Sequence, residues 1–278
     1  MKLLPNVARK AGVASLLAFV GLTGGATACK KPAAQDSLAA EDAANVKTYA
    51  ESIFKDAEVG LRAAAPILAT SSAEALSKDS LAAKEALLDA RRRSETLRLL
   101  PASFFALVDA SGRIVRSSLE VDNLATERFD PACAKATGDD VARVFASLPR
   151  NLGPSLLFCK AVPAAQSGVV AVGFNYVDLA FVLRNHLKEH YDGARDAGSY
   201  ENKTPVFYAA IYDDTLIAWS PETPEIVRAA TDKLGFRDKA SAATFTVEVE
   251  SRSYGVAKKE LLSKNGSALN VAIVRSDI

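Results

Sequence analysis

The chain has 278 residues, and 34 basic side chains nearly balance 33 acidic ones for a net charge of +1. That balance excludes a surface field for nucleic acid or anionic lipid, and the length allows one large or two small domains. Aromatic residues make up only 7% while alanine is abundant, so helices should supply much of the mass.

The first twelve residues carry Lys2, Arg9 and Lys10 and no acid; Val13 to Leu22 is an unbroken apolar or small run. Thr23-Gly24-Gly25-Ala26-Thr27-Ala28-Cys29 follows. A basic flank, a short apolar core and a small-residue cleavage site make a secretory signal. The run is shorter than the roughly 20 residues of a spanning helix, and no later segment is long and apolar enough. Cleavage of an ordinary signal after Ala28 would leave Cys29 as an unpaired N-terminal thiol. With Cys29 in place, Ala26-Thr27-Ala28-Cys29 resembles the lipobox of bacterial lipoprotein signals, although Ala26 stands where that family favours Leu. The resemblance implies a signal peptide over 1–28, a lipid on Cys29 that holds the chain to the membrane, and a tether over 29–35. Lys30 and Lys31 follow with no Asp at the second position, which by the same resemblance implies the outer membrane, facing the periplasm. Residues 29–278 then hold 31 bases and 33 acids, a net of −2.

From Asp36 to about Leu99 the pattern is helical. Val46, Tyr49, Ile53, Ala57 and Leu61 recur every three or four residues. Pro66 and Ser71-Ser72 are expected to interrupt the helix. A second helix carries Ala83, Leu87, Ala90, Ser94 and Leu97 at the same spacing. Arg91-Arg92-Arg93 suits the C-terminal end of a helix dipole; it also offers an anion site, but a solvated helix end is the plainer account.

The period then changes to two. Ser103 to Asp109 reads as a strand, Ala110-Ser111-Gly112 as a turn and Arg113 to Ser118 as the returning strand of a hairpin. Val141, Val144, Phe145 and Leu148 predict a helix ended by Pro149. Leu156 to Val162 and Gly168 to Asn175 are further strands, and Asp178 to Asp192 is a short linking helix. The pattern recurs with strands Val206–Asp213 and Leu216–Ser220, and with a helix from Pro224 to Leu234, bounded by Pro221, Pro224 and Gly235. Strands follow over Thr244–Glu250, Tyr254–Leu261 and, after an Asn265-Gly266 turn, Ala268–Val274. Overlaying Asp109 on Asp213, an offset of 104, aligns Ser117 with Ser220 after one deletion. A repeat of that length points to two copies of one small α+β domain.

Besides Cys29 the chain has Cys133 and Cys159. In an oxidising compartment these can close a loop of about 27 residues, worth roughly 3 kcal/mol by loop entropy; two buried free thiols are the alternative.

The hairpin Phe104-Phe105-Ala106-Leu107-Val108-Asp109-Ala110-Ser111-Gly112-Arg113-Ile114-Val115-Arg116-Ser117-Ser118 and the strand Gly168-Val169-Val170-Ala171-Val172-Gly173 resemble elements of the double Cache domain. The resemblance covers residues 36–278 in order of elements. It implies an α+β fold: long N-terminal helices over 36–100, then two PAS-like (Cache-like) antiparallel-sheet modules, the first over 101–192 with its linking helix and the second over 204–278. It also implies a small-molecule sensory domain rather than an enzyme, with a pocket between strands and covering helices. Phe105, Leu107, Arg116, Phe158, Lys160 and Phe174 are candidates in the first module; Tyr208, Ala210, Trp219, Tyr254 and Lys258 are candidates in the second. Because alternate strand residues share a face, these lists mix core with pocket, and most are expected to be core. The aromatic and Arg pattern of the amino-acid-binding subset is not found here. Family receptors continue into a transmembrane helix and a signalling domain; none follows here before Ile278, so the expected output is contact with a separate partner protein.

His186-Leu187-Lys188-Glu189-His190 holds the two histidines of the chain and spells His-x-x-Glu-His. On a helix His186 and His190 share a face, able to hold Zn²⁺ while Glu189 activates water. The same stripe holds Leu179 and Leu183, so the histidines also fit the edge of a packed face. No Gly-x-Ser-x-Gly elbow or phosphate loop is present, no cofactor is implied, and Asp139-Asp140 and Asp213-Asp214 fit turns or helix starts. The favoured reading is a ligand-binding or sensory lipoprotein. The alternatives are a structural or interaction lipoprotein without ligand and a metal-dependent hydrolase.

Overall fold

A computed structural model describes residues 35–71, 80–109, 111–119, 124, 128–129, 131–134, 136, 138–148, 153–163, 168–196, 205–235, 237, 243–264 and 266–277. The segment read as a signal, Cys29 and the expected tether up to residue 34 lie outside the described residues, while Gln35, read as the end of that tether, begins the first helix.

Helix α1 spans Gln35–Ala69. Its buried stripe, Ala39, Ala43, Val46, Ala50, Ile53, Ala57, Leu61, Ala64 and Leu68, keeps the spacing of three and four that one helical face requires. Pro66 does not interrupt it. Pro66 is exposed and one turn from the end, so water can take the carbonyl it leaves unbonded. Helices α2 (Ser80–Arg93) and α3 (Glu95–Leu99) pack on α1, divided at Ser94, whose hydroxyl caps α3 by accepting from the Leu97 amide at 3.4 Å.

The first sheet contains β1 (Phe104–Val108), β2 (Ile114–Ser117), β3 (Val141–Leu148), β4 (Gly153–Ala161) and β5 (Val169–Asn175), with the short α4 (Pro131–Ala134) before β3. It is antiparallel in the order β2-β1-β5-β4-β3. Helix α5 (Tyr176–Asp196) leads to a second sheet of β6 (Pro205–Tyr212), β7 (Ile217–Trp219), β8 (Thr244–Val249), β9 (Arg252–Lys264) and β10 (Ser267–Asp277), with α6 (Glu225–Lys233) after β7. Its order, β7-β6-β10-β9-β8, repeats the first. The α+β architecture of a long N-terminal helix and two PAS-like antiparallel sheets is the one expected. Among the described residues no helix is long and apolar enough to cross a membrane.

Residues 141–148 correct the sequence reading: they form a strand, not a helix, paired along their whole length with β4. Ala142, Val144, Ala146 and Leu148 face one side of the sheet, while Val141 and Phe145 face the other. Both faces take apolar residues, so the alternation was invisible, and Val141, Val144, Phe145 and Leu148 mimicked a helical stripe. The linking helix is also longer than expected, at 21 residues.

The repeat holds with a corrected alignment. Asp109 Oδ1 accepts from Ser111 N, Ser111 Oγ and Arg113 N; Asp213 Oδ1 accepts from Thr215 N, Thr215 Oγ1 and Leu216 N. The first turn is thus one residue longer, and a bulge in β2 inserts another. Ser118, not Ser117, is therefore the counterpart of Ser220. Ser118 Oγ accepts from Phe105 N and Ser220 Oγ accepts from Ala209 N, and each serine amide donates back to the same residue's carbonyl.

Helix α1 lies across one face of both sheets, and a single apolar core runs beneath it from sheet to sheet. This is the inner face. The outer face of each sheet has a core of its own.

Candidate functional site

Four first-module candidates, Phe105, Leu107, Phe158 and Phe174, point from the inner face into the shared core and are at most 3% exposed. Phe54 of α1 fills the space between them, with ring centroids 5.6 Å from Phe158 and 6.0 Å from Phe174. Phe158 and Phe174 meet edge to face at 5.9 Å. These rings are core, packed beneath α1. Arg116 shares their face, since it pairs with Leu107, and is half-buried. Lys160, buried at the end of β4, donates from Nζ to the Gly138 carbonyl and stands 3.6 Å from the exposed Asp139 carboxylate.

The equivalent surface of the second sheet replaces the large apolar side chain at four positions. Strand pairing matches Phe105 with Ala209, Leu156 with Gly255, Phe158 with Ala257 and Phe174 with Arg275. Helix α1 comes so near β9 that a Cβ on Gly255 would collide with the backbone carbonyl of Gln35. Arg275, 1% exposed, donates from Nη1 to Asp42 Oδ2 at 2.9 Å and to the Tyr191 hydroxyl at 2.6 Å, and from Nε to Asp277 Oδ1 at 3.0 Å. Tyr191 donates to Asp42 Oδ1 at 2.8 Å, and the guanidinium lies 4.9 Å from the centre of its ring. Burial raises the Asp42 carboxyl above its ordinary range, against the opposing pull of Arg275. Sequence reasoning missed this cluster. Its signal was present, however: Arg275 continues an apolar strand run, and Asp42 stands four residues before Val46 on the α1 stripe.

The second-module candidates lie on the opposite side. Tyr208, Ala210, Trp219 and Tyr254 belong to the outer-face core, together with Val227 of α6; the Tyr208 and Tyr254 rings are 6.4 Å apart. Lys258, also on β9, is half-buried. The structure therefore does not assemble the candidates into one site. Phe105, Arg116, Lys160 and Phe174 share the inner face of the first sheet, whereas Tyr208 and Trp219 share the outer face of the second. On the outer face of the first sheet, Cys133 of α4 and Cys159 of β4 form a disulfide with Cα atoms 5.4 Å apart, in a core that includes Phe104, Leu124 and Phe129.

His186, on α5, turns its ring against α1. Its Nε2 is 3.0 Å from Asn45 Oδ1, and its ring stacks on Tyr49 at 3.9 Å with planes 8° apart. Burial and the neighbouring His190 lower its pKa, against the pull of Glu189. His190 stands edge-on to Tyr191. Among the described residues no group of three or more His, Cys, Asp or Glu side chains is placed to hold a metal ion. The geometry of His186 is that of a packed helix seam.

Between the modules runs a cleft of about 220 Å³. Phe145, Ser147 and Pro154 line its first-module wall; Asp213, Thr215 and Leu216 line the second. At its edge the nearly buried Tyr176 donates to Asp213 Oδ2 at 3.0 Å. Burial and then the Asp213 charge push the phenol pKa far up, so it remains a donor. Burial opposes ionisation of Asp213, but hydrogen bonds from Leu216, Thr215 and Tyr176 outweigh it and keep the carboxylate charged.

No family model matches the sequence, and no curated protein does. Among solved structures, the chain is similar to the ligand-binding domain of the Pseudomonas aeruginosa PAO1 amino acid chemoreceptor PctB in complex with L-Arg. That match covers 87% of this chain and 94% of that one, at 12% identity and a TM-score of 0.49. The sensor domain of the V. cholerae histidine kinase DctB matches over 86% and 95%, at 12% identity and a TM-score of 0.48. The ligand-binding domain of the Campylobacter jejuni chemoreceptor Tlp3, in complex with 4-methylisoleucine, matches over 88% and 93%, at 13% identity and a TM-score of 0.44.

Proposed function

We propose that this chain is a non-catalytic, exported ectodomain of the double Cache type, held to a membrane by a lipid on Cys29. In this reading it binds a small molecule on the outer face of a module and acts through a separate protein on the same side of the membrane. The observation that carries the reading is the division of the two faces. Helix α1 fills the inner face of both sheets, which favours entry of a ligand from the outer side, where the covering elements are short. The outer face of the second module offers Tyr208, Trp219 and Tyr254 as an aromatic floor. Thermal melting of residues 33–278 with amino acids, organic acids and divalent metals tests the binding, because a ligand raises Tm by mass action. Emission from Trp219, the one tryptophan in the chain, locates it. A flat response throughout would overturn ligand binding and leave a structural or interaction lipoprotein. Separately, a Cys29→Ala chain that still partitioned with membranes would refute the lipid anchor.

A further inference from the structure

We infer that the Tyr176–Asp213 hydrogen bond is a latch that holds the two modules together across the cleft between them. The inference needs no ligand and stands apart from the sensory reading.

The internal repeat supplies the argument. Asp109 and Asp213 close the same kind of turn, each through Oδ1 alone. The first turn forms without a tyrosine, so the bond from Tyr176 to Asp213 Oδ2 is surplus to the second turn. What it adds is a connection between modules. Tyr176 is the first residue of α5 and directly follows β5, the central strand of the first sheet. The elbow that aims it is stiff: Asn175 Oδ1 accepts from Val177 N at 2.8 Å, and Asn175 N donates to Ser103 Oγ at 2.9 Å. Asp213 in turn leads into β7 and Trp219. A movement of β5 therefore reaches the Asp213 turn directly through one part-buried, charge-assisted hydrogen bond, beside the packing of α5 on β6 and the core shared under α1. Lys264 Nζ also crosses between modules, to the Arg143 carbonyl at 2.7 Å, but it is exposed and competes with water. The open cleft beside the latch gives the two walls room to part.

Tyr176→Phe in the full chain removes the hydroxyl and keeps the ring. Native-state hydrogen exchange, resolved by segment, reads the result. The latch predicts faster exchange on both walls, at 141–148 and at 213–219, by roughly five- to tenfold, the range expected for one net hydrogen bond. The β8 and α6 segments should be unchanged. Asp213→Ser keeps a side-chain oxygen acceptor for the turn, removes the partner of the Tyr176 hydroxyl, and serves as a second variant should Tyr176→Phe not fold. Unchanged exchange at 141–148 in a variant that melts cooperatively, with or without a local change at 213–216, would overturn the inference.

Discussion

The two modules share one strand order and one turn but fill their inner faces by opposite means. The first sheet presents Leu156, Phe158, Phe105 and Phe174 to α1; the second presents Gly255, Ala257, Ala209 and Arg275 at the same positions. One helix serves both because its own stripe changes along its length. Ala39, Asp42 and Ala43 lie towards the second sheet, where the backbones come close, while Phe54 meets the rings of the first. The topology sets where residues meet, and the space between helix and sheet sets which residues can stand there. Large rings, or small residues with one buried ion pair, satisfy the same architecture.

The sharpest way to break the comparison is at Phe174 and Arg275. Arg275→Ala strands Asp42 in the core and should cost about 3–5 kcal/mol in urea unfolding. Phe174→Ala leaves a cavity of a ring's volume and should cost about as much. The two losses differ in their repair. Combining Arg275→Leu with Asp42→Leu should recover most of the stability, because apolar replacement of a whole buried ion pair is often neutral or better. A double variant as unstable as Arg275→Ala would show that the charges do more than fill space.

Removing the disulfide with Cys133→Ala and Cys159→Ala should cost roughly 3 kcal/mol by the loop-entropy account. The first module alone carries it, so the loss should appear as faster hydrogen exchange in β4 and the segments around α4. Gly255→Ala tests the close approach of α1 to β9, and overpacking there should cost about 1–3 kcal/mol. An unchanged urea midpoint would mean that the helix can shift away from the second sheet.

The smallest effect expected is on pH dependence. The folded state lowers the pKa of His186, so the protein favours neutral imidazole. Stability from this group is complete above the unfolded-state value of about 6.5 and falls as pH drops from there towards the folded-state value. His186→Gln should flatten that slope in urea midpoints measured through the window. A slope of equal size in the variant would assign it to other groups. Asp42, raised by burial, acts with opposite sign nearer the carboxylate range.

Much of the fold was legible in local pattern. The α1 stripe, the Asp-initiated hairpin and the return of that hairpin 104 residues later could be read without coordinates. Residues 141–148 were not, because a strand with apolar residues on both faces loses its alternation and its apolar positions imitate a helix. The candidate site was less legible still. Period two gives the faces of a strand but not which face meets α1, so inner residues of one sheet were grouped with outer residues of the other. Arg275, Asp42 and Tyr191 escaped notice because their meeting spans more than 230 residues of chain.

The sequence by itself determined the α+β class, the repeat and the turn chemistry, all of which depend on neighbours a few residues apart or on period. Only the tertiary structure decided which sheet faces α1 fills, where the buried ion pair forms and that Tyr176 bonds to Asp213. Those outcomes depend on the gap between helix and sheet and on residues brought together from distant parts of the chain, and no local pattern encodes either.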